Sequence, residues 1–204
     1  MYYDISMTLS ENVQVYKNKP DKMMKIKNHS NFQTSSVYET DIEMNLHTGT
    51  HIDFPLHIIK DGKDSTGFDL DRLLTKVKVL DFTHLTDKIT KDDLFAYVID
   101  EGDFLLFKTK NSFSEEFDFD FIYLDSCAAD YLVSRNISGV GTDGLGIERA
   151  QEGHPTHHLL LENDIIIMEG LRLKDVEAGS YDMICLPLKI ENTEALPVRA
   201  ILKK

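Results

Sequence analysis

Four side chains able to hold a metal ion fall within eleven residues of this chain. They are His47, His51, Asp53 and His57, in the stretch HTGTHIDFPLH. The chain has eight histidines in all, so three in so short a span is a concentration. Imidazole nitrogen and carboxylate oxygen together suit a borderline divalent cation, Zn2+ above all, with Mn2+ and Fe2+ tolerated. No cysteine lies nearby to build a closed thiolate site. Three ligands from His and Asp would leave positions open for water, as catalytic sites do. For His57 three roles stand open on these residues alone: a third imidazole ligand, an acid/base, or a neighbour.

The backbone must make these donors converge. In an extended strand the four odd-numbered positions share one face. His47 and His51 would then lie roughly 13 Å apart, at about 3.3 Å per residue, which is long for two ligands of one ion. A helix would bring i and i+4 together, but Thr48 and Thr50 around Gly49 weigh against one. What remains is a strand bent at Gly49, where glycine permits a turn. Pro55 stiffens the exit and argues against a central strand.

A second group of donors lies in EGHPTHHLLLENDIIIMEGL: His154, His157, His158 and Glu169. A short helix from Pro155, with Thr156 as a candidate N-cap, and a strand from Ile165 would run antiparallel. The helix start and the strand end would meet at one edge, where His157 and Glu169 form the natural pair. His154 and His158 are expected to face solvent.

The elements that must position these groups are mostly strands. Lys76–Phe82, Asp103–Thr109, Asp164–Gly170 and Asp182–Leu188 are short apolar or β-branched runs bounded by Asp, Gly or Pro. EALPVRAILKK reads as a last strand, and Ser35–Leu46 as one leading into the histidine stretch. Helices are expected after Thr90, where Asp93 completes a near capping box, at Asp125–Asn136 and at Pro155–Asn163. FDLDRLL offers one or two further turns. The interleaving predicts a single α/β domain over residues 1–204, with a mixed sheet and flanking helices.

Composition narrows the function. The 204 residues are 42% hydrophobic and 28% charged, enough for a core without disulfides or structural metal. The net charge of −13, from 35 acids and 22 bases, argues against a nucleic-acid partner. No apolar run approaches the roughly 20 residues of a membrane helix. The N-terminus lacks an apolar targeting segment, so a reducing cytoplasm is expected. Cys127 and Cys185 are expected to be reduced and buried.

The stretch His47–His57 resembles the HxGTHxDxPxH motif of the putative cyclase family, which includes bacterial kynurenine formamidases and isatin hydrolases. His157 followed by HLLL, and Glu169 in MEGL, resemble that family's second motif. YYDISMTLS, LLFKT and GVGTDG extend the likeness across most of the chain. The resemblance implies a swivelling β/β/α domain, a homodimer or homotetramer, and metal-dependent hydrolysis of a small amide. It implies that His47, His51 and Asp53 hold a first ion. Asp53 would bridge to a second, completed by His157 and Glu169, and His57 would serve as general acid/base. One or two Zn2+ per chain are implied, with Mn2+ as a substitute. An aryl formamide such as N-formylkynurenine, or a cyclic amide, is the implied substrate. The chain departs from the family in substrate-facing regions: Ile58 stands where an aromatic is common, VQVYKNKPDK replaces a Pro-Gly-Asp turn, and LGIERA has glycine where formamidases tend to have Ser. A cyclase or dehydratase using the metal as Lewis acid, and a non-catalytic metal- or small-molecule-binding homologue, are the competing readings.

Overall fold

The apolar runs become strands with ends moved by a few residues. The computed structural model describes residues 1–204. Twelve strands form: β1 (Tyr2–Asp4), β2 (Lys25–Ser30), β3 (Glu39–Glu43), β4 (His51–Asp53), β5 (Leu74–Asp81), β6 (Lys88–Ile89), β7 (Phe104–Lys108), β8 (Tyr123–Leu124), β9 (Gly139–Thr142), β10 (Ile166–Glu169), β11 (Gly179–Pro187) and β12 (Ala195–Lys203). Three helices join them: α1 (Lys91–Leu94), α2 (Ser126–Ser134) and α3 (Pro155–Glu162). Thr90 and Asp93 complete the expected capping box, although α1 stops after one turn. FDLDRLL gives only a 3-10 turn at Leu70–Leu73.

The mixed sheet closes on itself. Pairing runs β12, β11, β5, β7, β9, β10, β4 and back to β12, a seven-stranded barrel with β1 added to β12. The β5–β7, β7–β9 and β9–β10 pairs are parallel, and the others around the ring are antiparallel. One edge of β12 serves two neighbours, with Ala195–Pro197 against β4 and Ile201–Lys203 against β1. The expectation that Pro55 keeps the histidine stretch out of a central strand is therefore corrected. β4 is paired on both edges, and it is only three residues long, so the proline falls in the 3-10 turn beyond it.

Alternation along the strands fills two cores. Val77, Val79, Phe104, Leu106, Ile52 and Met168 point into the barrel. Leu80, Leu105, Phe107, Val140 and Ile167 point outward against α2 and α3. Strand β7 is buried on both faces, which is why FLLF shows no polar alternation. On β11 the helices are missing. Tyr181, Met183 and Cys185 face inward, while Ile184 and Leu186 are exposed. The strand expected at Ser35–Leu46 forms only as β3, pairs with β2, and stands outside the barrel as an almost wholly exposed hairpin. Both cysteines are free; Cys185 is buried, with its thiol pushed up to about 12 by desolvation, but Cys127 is exposed, against expectation.

One buried carboxylate ties the end of β9 to the turn after β7. Asp143 accepts hydrogen bonds from the Thr109 and Ser112 backbone N–H groups at 2.8 and 3.2 Å, and from both hydroxyls at 2.7 Å. Asp143→Ala strands these donors in the interior, and urea unfolding should show a loss on the order of 3 kcal/mol. A loss below about 1 kcal/mol would mean that the four bonds are replaced by water.

Candidate metal centre

The site is built on the outside of the barrel wall. Ile52 and Met168 point into the barrel, so His51, Asp53 and Glu169, on the alternate positions, point outward toward α3. Register does part of the positioning, because Glu169 pairs directly with His51 across β10 and β4. The turn before β4 carries His47 back toward the strand. Gly49 at its centre has φ +76°, and Gly170, just after β10, has φ +70°. A Cβ on Gly170 would lie 2.5 Å from the Gly49 carbonyl oxygen, so the two backbones meet only because the position is glycine. Thr50 locks the approach. Its hydroxyl donates to the Gly170 carbonyl at 2.7 Å and accepts from the Met7 N–H at 2.8 Å.

The donor atoms converge from three segments. Nδ1 of His47 lies 3.1 Å from Asp53 Oδ1 and 3.2 Å from His51 Nε2. Nε2 of His51 lies 3.5 Å from both Asp53 Oδ1 and Glu169 Oε2. Nε2 of His157 lies 3.8 Å from Asp53 Oδ2 and 3.5 Å from Glu169 Oε1. Around a tetrahedral ion with bonds near 2.1 Å, ligand atoms sit roughly 3.4 Å apart. The His157–Glu169 meeting expected from sequence is thus present, and Asp53 stands between the two groups. His57 is different. Its ring lies tilted at 4.2 Å from the His47 ring and 5.7 Å from that of His157, makes no hydrogen bond or ion pair, and is only partly exposed.

The fit to a cation rests on Asp53. Both carboxylate oxygens are buried and neither accepts a hydrogen bond. An ionised carboxylate left this way is strongly unfavourable unless a positive charge meets it. Burial opposes its charge, but His47 and His51 hold its pKa well below the usual carboxylate range. Burial likewise opposes a protonated His157, yet Glu148 and Glu169 override it and push that pKa up to about 10. Burial also pulls His47 down, and Asp53 outweighs it. The carboxylates demand positive charge, which protons or a divalent ion can supply. The ring faces are set for the ion. Nδ1 of His51 is 2.9 Å from the Gly49 carbonyl and so carries the proton, leaving Nε2 bare toward the centre.

Two acids escaped the sequence reading. Glu148, buried, lies 2.5 Å from His157 Nδ1 and accepts the Thr156 N–H at 3.0 Å. It therefore satisfies the start of α3, whose N-cap is the left-handed His154 rather than Thr156. Glu194 approaches His47 Nε2 at 3.4 Å from the segment before β12. The nine-residue step from Glu148 to His157 carries no periodic signal; only the folded helix start brings the two together. The half-exposed His158 pairs with Glu162 and lies apart from the donors, whereas the exposed His154 brings Nδ1 to 3.4 Å from Glu148 and so sits behind His157, away from Asp53. Glu148→Gln keeps an acceptor for the helix N–H groups but removes the anion behind His157. Metal affinity, read by chelator competition, should fall about 10–100-fold. An unchanged affinity would assign Glu148 to helix capping alone.

A cavity of about 620 Å³ opens beside these donors. Its lining includes His47, His57, His157 and Glu169 from the donor groups, the segment residues Tyr16, Lys17, Lys19 and Lys22, and Ile58 and Leu145. No helix is long and apolar enough to cross a membrane.

The model of the family described as Putative cyclase matches residues 3–149. The kynurenine formamidase of Salinibacter ruber is 30% identical over 203 residues, covering 98% of this chain and 96% of that protein. A solved structure, a predicted metal-dependent hydrolase from Bacillus stearothermophilus, is 50% identical with TM-score 0.91, covering 99% of this chain and 97% of that one. Isatin hydrolase A from Labrenzia aggregata, bound to benzyl benzoate, shares the fold at TM-score 0.86 and 22% identity, over 99% of this chain and 93% of that one.

Proposed function

The chain belongs to the putative cyclase family and is a metal-dependent amide hydrolase, and from that premise we propose that it cleaves an aryl formamide or a related small amide at the site on β4, β10 and α3. The observation that carries the reading is the buried, unpartnered carboxylate of Asp53, flanked by imidazoles from two distant segments. His47, His51 and Asp53 would hold a first ion, and Asp53, His157 and Glu169 a second. Imidazole with carboxylate favours Zn2+, with Mn2+ as a substitute. Such an ion, when bound, polarises a carbonyl and makes a water acidic enough to ionise near neutral pH.

The chain's own groups do the rest. His57 takes a proton from the attacking water at a ring nitrogen and delivers it to the departing amine. The water oxygen bonds to the carbonyl carbon, the C–N bond breaks with its electron pair going to nitrogen, and the products are an amine, a carboxylate and one proton released to solvent. Desolvation lowers the pKa of His57, the Asp53 carboxylate partly offsets this, and the His47 imidazole adds to the lowering, so the ring is a neutral base near pH 7. Tyr16, Ile58 and Leu145 supply apolar surface for an aryl ring. The exposed Ile184 and Leu186 on β11 support a homodimer or homotetramer.

The test is elemental analysis of protein purified without a metal-affinity tag, paired with hydrolysis of N-formylkynurenine and formanilide before and after adding Zn2+ or Mn2+. Close to two equivalents of metal with turnover is expected. Bound metal without turnover of either compound would remove the formamide assignment. No metal at any added concentration would remove the metal centre itself.

A further inference from the structure

The cavity beside the metal centre has a cationic wall that the metal chemistry does not use. Lys17, Lys19 and Lys22 line it together with the ring of Tyr16. None of the three makes an ion pair, whereas Lys25, just beyond them, meets Glu43 at 2.7 Å. The two acids lining the same cavity are already engaged. Glu169 accepts the Ile147 N–H at 2.6 Å, and Glu148 is bound to His157 and the start of α3. In a chain of net charge −13, a wall with three free ammonium groups runs against the overall composition.

That wall is also held in place. The Thr48 hydroxyl, within the histidine motif, donates to the Lys22 carbonyl at 2.8 Å, so the lysine segment is fastened to the metal-ligand turn. At the other end the Tyr16 ring packs edge-on to Phe117 and Phe121, at 5.4 and 6.4 Å between centroids. Lys17 and Asn18 are consecutive left-handed residues, at φ 57° and 50°, a strained arrangement for residues with side chains. The ammonium groups of Lys17 and Lys22 both gather over the Tyr16 ring, at 5.1 and 5.8 Å from its centroid. The segment therefore presents charge toward one place beside an aromatic face.

We propose that Lys17, Lys19 and Lys22 are specificity-determining residues that select an aromatic amide bearing a net negative charge, its anionic group on the lysines and its scissile carbonyl at the metal centre. This rests on the hydrolase reading for the bond that is cut, and not for the charge preference. A neutral aryl amide gains nothing from the wall, and the ammonium of a zwitterionic amino acid is repelled by it.

The experiment is calorimetric titration of the metal-loaded protein with benzoate, phenyl phosphate, benzamide and benzylamine. Wild type is compared with the Lys17→Gln, Lys19→Gln, Lys22→Gln triple variant and with a Lys25→Gln, Lys27→Gln control outside the cavity. Any direct contact of the anions with metal is common to all three proteins, so the difference reports the lysines. Benzoate or phenyl phosphate should bind at least about tenfold more weakly to the triple variant at low salt, and the gap should narrow as salt is raised. The tighter of the two anions identifies carboxylate or phosphate as the natural group. In parallel, the ratio of kcat/KM for 4-formamidobenzoate over formanilide should fall by a similar factor in the triple variant. If neither formamide is hydrolysed but anion binding still follows the lysines, the formamide reading fails and the charge preference stands. Anion binding unaltered in the triple variant at equal metal content, or equally reduced in the control, overturns the proposal.

Discussion

Asp53→Ala should abolish binding at both metal positions, not one. The carboxylate stands between the His47–His51 pair and the His157–Glu169 pair, with Oδ1 toward the first and Oδ2 toward the second. Glu169 also lies 3.5 Å from His51 and from His157, but only Asp53 adds a contact to His47 as well. Deleting an ordinary ligand would leave the opposite position intact, so metal content would fall by half. Deleting the shared one should take it from near two equivalents to near zero, with kcat/KM falling on the order of 10³-fold or more. Far-ultraviolet circular dichroism should be unaltered, since β4 keeps its backbone pairing on both edges. Retention of one full equivalent would show that Asp53 serves a single ion, and retention of two would remove it from the ligand set.

His57→Ala should separate chemistry from binding. His57 alone among the motif histidines is free of any hydrogen bond or ion pair, and it faces the cavity. Metal content should be preserved while kcat falls about 10²–10⁴-fold, the usual worth of a positioned acid/base. The pH profile supplies the sign. Its pKa is drawn below the ordinary histidine value, so the base form is present at neutrality and is lost as pH falls through that lowered pKa. Wild-type kcat/KM should decline on the acid side, and this limb should vanish in the variant, with partial rescue by added imidazole. Loss of one metal equivalent instead would make His57 a ligand, an arrangement its proximity to His47 and Asp53 also permits.

Much of this centre is legible in the chain because its donors sit on local geometry. His51 and Asp53 share a face by the alternation of a strand, Gly49 marks the turn that returns His47, and Glu169 ends an unmistakable apolar run. Glu148 and Glu194 are not legible, since each reaches its histidine through tertiary contact rather than spacing. The same reason hides the barrel. Each of β5, β7, β10, β11 and β12 announces itself as a strand, but nothing local tells Ala195 to pair with Asp53. The one-turn α1 shows the reverse failure: its capping box is clear in the sequence, yet the helix ends after one turn, with Leu94 buried in the outer core.

Strand β4 has a further consequence, in the order of folding. It is the strand that closes the ring, pairing β10 on one side and the beginning of β12 on the other. Both partners are made from residues far later in the chain, and such distant pairings form slowly because loop entropy is lost before contacts reward it. His51 and Asp53 cannot meet Glu169 until β4 pairs with β10. The centre exists only where β4 is paired with β10, so a chain lacking that pairing has no preformed centre with which to capture metal. An ion held by these residues would tie β4 to β10, and slow release of metal and slow unfolding are then expected to be the same event.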